Sequence, residues 1–549
     1  MTDRTVLVGF DALDFRYLDA FESSLPNFSA LREEGVEAPL RSTFPPWTGS
    51  AWPSMYTGTD PSHHGVYGFF HHTEGYPDDD ELVTRNRVRR PAIWNYLDAT
   101  DDPAVALNVP VTHPAESIDG ALVPGYLAHE DDAGHPEGVR DELSDAIGEP
   151  YTIYSRGETS DDKAEKRAGY LDLIDLRARA AEHLLDAYDW KVAVVQVQKT
   201  DAVFHNFDDR ETFRAVYERA DDLLGRVRDV VDDDTNVVVC SDHGIGPVDG
   251  YTVYLNEVLR EHGFVETTSD ASNPTLATEK SALTGEGGGG ESSADGTGTK
   301  PTATARAVSA ATTALGAVGV TPGDAYGVAK RIGVDDLLTS VLPDEAIAAA
   351  GESVDWTASA AYCRTAELGV RINLDGREPN GVVPADDYER VRDELVELLS
   401  ALRTPDGDPV FEWVKRREEV YDGPFAEHAC DVLFLPTEMN HVVSPSLIGQ
   451  RFVPVADHDH KLDGAFLAAG PAFDADADLD RLSLTDVAPV ALASVGRDVP
   501  ERMTGSVPEG LLERDHSRVA YGDVPFGSDA EATEDDGSVE ERLSDLGYL

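Results

Sequence analysis

Two kinds of segment alternate over most of the chain. One kind is short and apolar at nearly every position, which is typical of strands buried on both faces of a sheet. The other is longer and amphipathic, clearest at about 162–186 and 211–231, and predicts helices. This alternation predicts an α/β fold, a three-layer α/β/α sandwich around a mostly parallel central sheet. The main strand patterns are TVLVGF (5–10), AVALNVP (104–110), KVAVVQVQKTD (191–201) and NVVVCSDHG (236–244).

Weaker patterns fill in the order of elements between these strands. Acidic residues fall at the ends of several apolar strands, and ligands of open α/β sheets bind beyond the carboxyl ends of the strands. We therefore expect the functional site at that edge of the sheet. The further predicted elements are helices from Phe15 and at 25–35, 91–99 and 386–401, and strands at 37–42, 362–373, 431–435 and 465–469.

Shifts in composition divide the chain into five parts. The stretch GEGGGGESSADGTGTK cannot form a core, and it predicts a flexible linker. The turn-rich residues 111–165 predict a lid over the site. The expected parts are a first half of the core at 1–265, including the lid, the Gly/Ser/Thr-rich linker at 266–304, an Ala-rich helical insert at 305–351, a second half of the core at 352–522 and an acidic mobile tail at 523–549.

The balance of charge sets the expected environment. With 104 acidic and 45 basic residues, the formal net charge is −59. In dilute buffer this excess would strain a compact fold, whereas at molar salt the Debye length falls to about 3 Å and the repulsion is screened. We therefore predict a salt-adapted protein from a halophile. Duplex nucleic acid is disfavoured as a partner, and we expect none to bind, because no basic stripe is present to release its counterions.

Cysteine usage and hydropathy point to the cytoplasm. Cys240, Cys363 and Cys430 are odd in number and have no CxxC spacing, which predicts a reducing compartment and no thiolate metal site. The N-terminus begins a strand at once, without an apolar signal region. The most apolar long stretch, about 307–320, is too short and too mild to span a bilayer. We expect a soluble cytoplasmic protein with no membrane partner.

One stretch carries a candidate nucleophile. In STFPPWTGSAWPSMYTGTDPSHHG (42–65), Thr48 follows a Pro-Pro-Trp entry and precedes a short apolar helical pattern. A hydroxyl at the start of a helix benefits from free N–H groups and partial positive charge, which suit an anionic substrate such as phosphate. Threonine is also a common helix N-cap, so this stretch alone leaves both readings of Thr48 open.

Four clusters at strand ends offer ligands for hard metal ions. Asp201 and His205 stand four apart at the start of a predicted helix, so both can face one ion. Carboxylates and imidazoles without thiolates suit Zn²⁺, with Mn²⁺ as the alternative. A single Asp after a strand is usually a cap, but several clusters on one sheet edge favour two metal ions. The clusters are Asp11; Asp201 and His205; Asp242 and His243; and His458 and His460.

These pieces together resemble the alkaline phosphatase superfamily, in its type I phosphodiesterase/nucleotide pyrophosphatase branch. They occur in the order of that family and extend over nearly the whole chain except the linker and the tail. The matching motifs are GFD (9–11), TGSAWPSMYTGTDPSHHG (48–65), TDAVFHNF (200–207), SDHG (241–244), HKLDGAFLAAGP (460–471) and LSLTDVAPVALASVGRDVP (482–500).

The resemblance implies a role for each matching residue. Thr48 corresponds to the nucleophile, and His458 is expected behind the ligands. The implied ligands of one metal are Asp11, Thr48, Asp242 and His243, and those of the other are Asp201, His205 and His460. Substrate contacts are implied for Asn108, Lys199, and Tyr126 or His129 of the lid.

The expected activity is metal-dependent hydrolysis of a small phosphate ester, as a phosphodiesterase/nucleotide pyrophosphatase or a phosphatase. It would use a covalent phosphothreonine on Thr48. One alternative is a phosphomutase related to cofactor-independent phosphoglycerate mutase, whose nucleophile is Ser. A sulfatase is disfavoured because its Cys/Ser-x-Pro-x-Arg signature is absent. A catalytically silent binding homologue is the third reading, and the natural substrate and the oligomeric state stay open.

Overall fold

A computed structural model describes residues 4–72, 80–155, 157–158, 160, 162–268, 353–364 and 368–528. The expected helical insert, nearly all of the expected linker and most of the expected tail lie outside these residues. The strands are β1 (Thr5–Phe10), β2 (Val36–Arg41), β3 (Phe70–His72), β4 (Asp80–Leu82), β5 (Ala104–Leu107), β6 (Gly120–Val123), β7 (Val192–Val197), β8 (Asn236–Cys240), β9 (Gly244–Val248), β10 (Tyr251–Tyr254), β11 (Thr267–Thr268), β12 (Ser353–Val354), β13 (Ala361–Tyr362), β14 (Gly369–Ile372), β15 (Phe411–Arg416), β16 (Val432–Pro436), β17 (Val442–Ser444), β18 (Phe452–Pro454), β19 (Asp457–Lys461), β20 (Asp463–Ala469), β21 (Leu482–Ser483), β22 (Val499–Pro500) and β23 (Arg518–Val519).

The helices of the described residues connect and cover these strands. They are α1 (Phe15–Phe21), α2 (Pro26–Glu34), α3 (Thr48–Thr57), α4 (Pro61–His64), α5 (Ile93–Asp98), α6 (Val139–Ile147), α7 (Lys163–Ala187), α8 (Lys199–Asn206), α9 (Arg210–Val230), α10 (Leu255–Glu261), α11 (Tyr388–Ala401) and α12 (Val487–Ser494).

The core is an eight-stranded sheet in the order β21-β2-β20-β8-β1-β7-β5-β6. The five strands from β8 to β6 run parallel to one another, while β20 pairs antiparallel with both β8 and β2. All residues of β1, β7 and β8 are buried, as their continuous apolar runs predict. The expected α/β fold with a mostly parallel sheet is confirmed.

Helices cover both faces of this sheet. A Cβ on Gly9 would lie 2.3 Å from Cη2 of Trp52 in α3, so Gly9 faces α3. The next residue, Phe10, has its ring centroid 5.3 Å from that of Phe28 in α2. Because consecutive strand residues point to opposite faces, α3 and α2 lie on opposite sides of the sheet. Helix α12 packs with α3, and α9 packs with α2 and α7.

The predicted lid at 111–165 needs a correction. It contains β6, an edge strand of the main sheet that pairs parallel with β5, and α6, which packs on α7. A strand of four residues, GALV, is too short to show a periodicity in the sequence. Part of the expected lid is therefore core.

The expected second half of the core, 352–522, is also divided. Strands β13, β14, β16 and β15 form a separate antiparallel sheet that packs with α11 and α10 around a hydrophobic core of its own. Within the described part of this half, the chain rejoins the main sheet through β20 and β21. The smaller unit contacts the entry to α3, since Phe44 and Trp47 pack against its core and Tyr421 Oη donates to the Phe44 carbonyl at 2.5 Å.

Candidate metal centre

Three adjacent parallel strands deliver the acidic residues to one place. β1 lies between β7 and β8, with Phe10 beside Val197 and Gly9 beside Cys240. The residues that follow each strand therefore emerge at the same edge. Asp11 follows β1 directly and Asp242 follows β8 by two residues. Asp201 lies in the first turn of α8, because β7 ends at Val197, earlier than its apolar pattern suggests.

Thr48 is the first residue of α3, and its side chain is fully buried. The N-cap position belongs to Trp47, so the reading of Thr48 as a helix cap is wrong. Thr48 Oγ1 lies 3.4 Å from Asp11 Oδ1 and 3.4 Å from His243 Nε2. Its hydroxyl therefore faces the acidic edge of the sheet.

Asp11 is oriented by two donors on one oxygen. Its Oδ2 accepts from Trp52 Nε1 at 3.3 Å and from Gln196 Nε2 at 3.2 Å, and Oδ1 faces Thr48 and His243. The Thr200 hydroxyl also donates to the Asp11 carbonyl at 2.6 Å. Asp11 thus presents its second carboxylate oxygen, Oδ1, to Thr48 and His243.

The histidines lie on α8 and at a two-stranded antiparallel sheet. His460 lies in β19, which pairs antiparallel with β9. Strand β9 begins directly after His243. The rings of His243 and His460 stack with centroids 3.9 Å apart. Position 244 requires a glycine because a Cβ there would lie 2.1 Å from the Asp463 carbonyl oxygen. The requirement is one of space, since Gly244 does not have a positive φ.

Hydrogen bonds on the outer nitrogens orient two of the imidazoles. His243 Nδ1 lies 3.1 Å from the Gly244 carbonyl, and His460 Nδ1 lies 3.0 Å from the Pro46 carbonyl. A carbonyl accepts, so each Nδ1 carries the proton and each Nε2 presents a lone pair to the site. Histidine ligands of metals are typically held this way.

The ligand atoms have the spacing of two tetrahedral metal sites. Two ligands at about 2.0–2.1 Å from one tetrahedral ion are about 3.3–3.4 Å apart. Around His243, Nε2 lies 3.5 Å from Asp11 Oδ1 and 3.3 Å from Asp242 Oδ2, besides its contact with Thr48. The second set is separated by 3.3, 3.2 and 3.6 Å for the pairs His205–Asp201, His205–His460 and His460–Asp201.

Burial makes the charges of this cluster costly without a cation. Asp11, Asp201 and Asp242 are at most 1% exposed. Burial, reinforced by Asp242 and Asp201, raises the pKa of Asp11 well above its usual value, and burial also raises the pKa of Asp242.

The pKa values of His205 and His460 shift in opposite directions in this environment. Burial opposes a charge on His205, but Asp201 outweighs it and raises the pKa of His205 to about 9. Burial and then His243 lower the pKa of His460 well below its usual value. For Asp201, burial is outweighed by His205, His460 and His243, which lower its pKa. Divalent cations would relieve the repulsion among the carboxylates, so the residues present fit a metal centre.

The candidate substrate residues are only partly brought together. Asn108, Lys199 and Tyr126 are buried and line one pocket beside the metal centre. Lys199 is a buried cation, and its Nζ lies 2.7 Å from Oε2 of the buried Glu158. His129 does not line this pocket, and its ring lies 5.2 Å from that of His113. His458 lies behind α8, with its ring 5.3 Å from those of Phe204 and Phe213.

Sequence reasoning missed three residues that support the centre. Gln196 could have been noticed as a polar residue within the apolar strand VAVVQV. Trp52 and Glu158 carried no signal, because the first looks like an ordinary apolar helix residue and the second lies in an irregular turn. Their partners, Asp11 and Lys199, are distant in sequence.

The central sheet carries a cluster of buried carboxylates and imidazoles at its carboxyl edge, and the family match places the chain in the alkaline phosphatase superfamily of metal-dependent hydrolases. The chain belongs to the type I phosphodiesterase/nucleotide pyrophosphatase family, whose model matches residues 5–309. The family supports phosphoester hydrolase activity. No curated protein matches the chain.

Solved structures share the fold at low identity. Phosphonoacetate hydrolase from Sinorhizobium meliloti 1021, in complex with phosphonoformate, is 13% identical with a TM-score of 0.55. The same enzyme in complex with phosphonoacetate is 14% identical with a TM-score of 0.54. Each comparison covers 90% of this chain and 96% of the other. Among the described helices, none is both long and apolar enough to cross a membrane.

Proposed function

We propose that this protein is a two-metal phosphoester hydrolase that acts on small phosphodiesters or phosphomonoesters through a covalent phosphothreonine on Thr48. The observation that carries the proposal is the position of Thr48 Oγ1, 3.4 Å from both Asp11 Oδ1 and His243 Nε2. A buried hydroxyl at this distance from two candidate ligands has the position of a ligand and a nucleophile at once.

Two sets of residues would hold the ions, Zn²⁺ in the first place and Mn²⁺ as the alternative. Bound cations would neutralise the carboxylates and stabilise the charge that develops on the phosphoryl and leaving oxygens. The first set is Asp11, Thr48, Asp242 and His243, and the second is Asp201, His205 and His460.

The chain's own residues account for the two chemical steps. The Thr48 hydroxyl passes its proton to solvent as Oγ1 attacks phosphorus. The bond from phosphorus to the leaving oxygen breaks, and that oxygen takes up a proton from solvent and departs as an alcohol, which leaves phosphothreonine. Water then attacks the same phosphorus and returns the Thr48 hydroxyl. Asp11 and His243 hold the Thr48 oxygen in line, and Trp52 and Gln196 hold Asp11. Each turnover consumes one water.

Substitution of Thr48 tests the nucleophile. We expect Thr48→Ala to lower kcat for bis-p-nitrophenyl phosphate by at least about 10³-fold, and Thr48→Ser to retain measurable turnover, because Ser keeps the hydroxyl. Circular dichroism of both variants controls for folding. Hydrolysis by Thr48→Ala at a rate near that of the wild type would contradict the assignment.

Metal analysis tests the centre independently. We expect two equivalents of transition metal per chain, loss of activity with a chelator, and recovery with Zn²⁺ or Mn²⁺. Asp242→Asn should lower the metal content, whereas the surface substitution Asp515→Asn should not. A wild-type protein that binds no metal and regains no activity would favour the silent binding homologue.

Identification of the substrate class requires activity assays with a panel of esters. The similar solved structures hold phosphonoformate and phosphonoacetate, so phosphonates belong in the panel beside phosphomonoesters, phosphodiesters and pyrophosphates. A product with the phosphoryl group moved to another hydroxyl of the same molecule would instead identify a phosphomutase.

A further inference from the structure

A second group of metal-binding side chains lies where the smaller unit meets α4. It consists of Asp60 and His63, which belong to α4 and its N-cap, and Asp422, which lies between β15 and β16 of the smaller unit. One ligand atom of each residue lies within 4.8 Å of the other two. Helix α3 separates this group from Thr48, and its 10 residues span about 15 Å. The group is therefore distinct from the metal centre.

Asp60 and His63 form a fixed pair at the start of α4. Asp60 Oδ1 accepts from the Ser62 N–H at 2.8 Å and from the Ser62 hydroxyl at 2.5 Å. Its other oxygen, Oδ2, lies 2.9 Å from Nδ1 of His63. A carboxylate only accepts, so Nδ1 carries the proton between them. A cation at this position would replace that proton, and the neutral ring would then carry its proton on Nε2.

The backbone on either side of Ser62 and Gly423 brings Asp422 to this pair. The Gly423 N–H donates to the Ser62 hydroxyl at 3.0 Å, and the Phe425 N–H donates to the Ser62 carbonyl at 2.9 Å. A Cβ on residue 423 would lie 2.3 Å from the Ser62 carbonyl oxygen, so this close approach requires the glycine. The backbone of Asp422 is thus held beside α4, while its side chain is exposed and can turn toward Asp60.

The two carboxylates share one imidazole as their only counter-group among the described residues. Neither Asp60 nor Asp422 forms an ion pair there with a Lys or an Arg. Two carboxylates held this close repel each other, and a bound divalent cation would reverse that repulsion. Two ligands of one tetrahedral ion are about 3.3–3.4 Å apart, so a small movement of the exposed Asp422 completes the site.

The donor set narrows the class of cation. One imidazole nitrogen and two carboxylate oxygens, without a thiolate, suit Zn²⁺ or Mn²⁺. The imidazole disfavours Ca²⁺ and Mg²⁺, which take oxygen ligands. Asp422 is exposed, so water has access to the remaining coordination positions.

We propose that Asp60, His63 and Asp422 bind a further divalent transition-metal ion, Zn²⁺ in the first place, which fastens the smaller unit to α4. The role of this ion is structural, and the proposal does not depend on the proposed function, because none of its ligands belongs to the metal centre. Three ligands at an exposed site bind less tightly than the buried centre. The metal centre therefore keeps its ions when free metal is removed, whereas this site fills only in free Zn²⁺.

Equilibrium dialysis against micromolar free Zn²⁺ tests the site on the full chain at high salt. Elemental analysis should find one equivalent of Zn²⁺ fewer in His63→Gln and in Asp422→Asn than in the wild type. Two exposed positions elsewhere provide matched controls, and His516→Gln and Asp515→Asn should bind as much Zn²⁺ as the wild type. Circular dichroism of all four variants controls for folding.

Urea unfolding gives a second readout, since an ion that binds only the folded chain stabilises it. Free Zn²⁺ should raise the urea midpoint more in the wild type and in His516→Gln than in His63→Gln. Equal Zn²⁺ contents in the wild type, His63→Gln and Asp422→Asn would overturn the proposal, as would an equal loss in the two controls or equal shifts of the midpoint. A protein without hydrolase activity would leave these differences unchanged, so the two proposals fail separately.

Discussion

The position of Asp11 depends on contacts that come from separate elements. Trp52 of α3 and Gln196 of β7 both donate to the same oxygen. Gly9 makes this possible, since a Cβ there would overlap the Trp52 ring at 2.3 Å. The motif GFD shows a glycine two residues before the aspartate, but its reason, room for an indole under the carboxylate, is visible only in the packing.

His64 shows how burial fixes a protonation state. Its Nδ1 accepts from the Val66 N–H at 3.2 Å, and its Nε2 lies 2.8 Å from Ser54 Oγ, which itself donates to the Ser50 carbonyl. A second ring proton would meet the Val66 N–H. Burial lowers the pKa of His64 to about 3. The ring is therefore neutral in the folded protein.

This predicts a loss of stability in acid. Between pH 6.5 and about 3 the unfolded chain binds a proton at His64 that the folded chain does not, so the unfolding free energy falls as pH falls, by up to about 1.4 kcal/mol per pH unit. Above pH 6.5 this contribution is fully present. We expect His64→Gln to have a flatter pH dependence than the wild type in urea unfolding at pH 4–8.

The exposed His516 provides a matched control for that measurement. Both variants are compared in chelator and high salt, so that titration of the metal ligands is common to both. His516→Gln should follow the wild-type slope. A His64→Gln slope that equals the wild-type slope would contradict the buried neutral ring.

At the scale of elements, α2 and α7 begin in different ways. Asp162 caps α7 locally, accepting from the N–H groups of Ala164 and Glu165. Helix α2 has Leu25 at its N-cap and no local side-chain cap. Its first N–H groups are satisfied by Asp221 in the middle of α9, which accepts from Asn27 at 2.9 Å and from Phe28 at 2.8 Å. Asp221 is 1% exposed, so this remote cap is buried.

Removal of the two caps should lower the free energy of unfolding by different amounts. We expect Asp162→Ala to lower the unfolding free energy by about 1 kcal/mol, as for ordinary N-caps. Asp221→Ala should cost about 2–3 kcal/mol, because it leaves buried N–H groups without an acceptor. The midpoints of urea unfolding at high salt measure both. An Asp221→Ala midpoint equal to that of Asp162→Ala would contradict the buried remote cap.

The element predictions succeeded where a pattern was long or continuous and failed where it was short. β1, β7 and β8 follow from apolar runs, and α7 and α9 follow from amphipathic stretches of more than 20 residues. The strand β6 was hidden inside the expected lid, since four residues between turns carry too little periodicity.

For the whole molecule, the excess of carboxylates predicts dependence on salt. With a net charge of −59, repulsion in dilute buffer opposes the compact state and is screened at molar salt. We expect the Tm to rise steeply from 0.2 to 3 M KCl. The metal-free protein should show the same trend, since the effect comes from the whole surface. A Tm indifferent to KCl would contradict salt adaptation.

The arrangement of the smaller unit, built on β13, β14, β15 and β16, is also a property of the whole molecule. Its core contacts Phe44 and Trp47, which stand just before Thr48, and the Trp47 ring lies 5.1 Å from that of His460. The smaller unit therefore supports the entry to α3, the helix that begins with the proposed nucleophile. Its strand patterns could be predicted, but the partner on which they pack could not.

The sequence by itself determined the class of fold, the sheet edge at which the candidate ligands lie and the identity of those ligands, because buried strands and strand-end carboxylates are local patterns. Tertiary structure alone decided which of these atoms meet. The 3.2–3.6 Å spacing of the ligands, the Gln196 link from Asp11 to Asn108 and the burial of Lys199 against Glu158 join residues far apart in the chain. No local pattern encodes such distances, since they arise only when strand order and register bring the segments together.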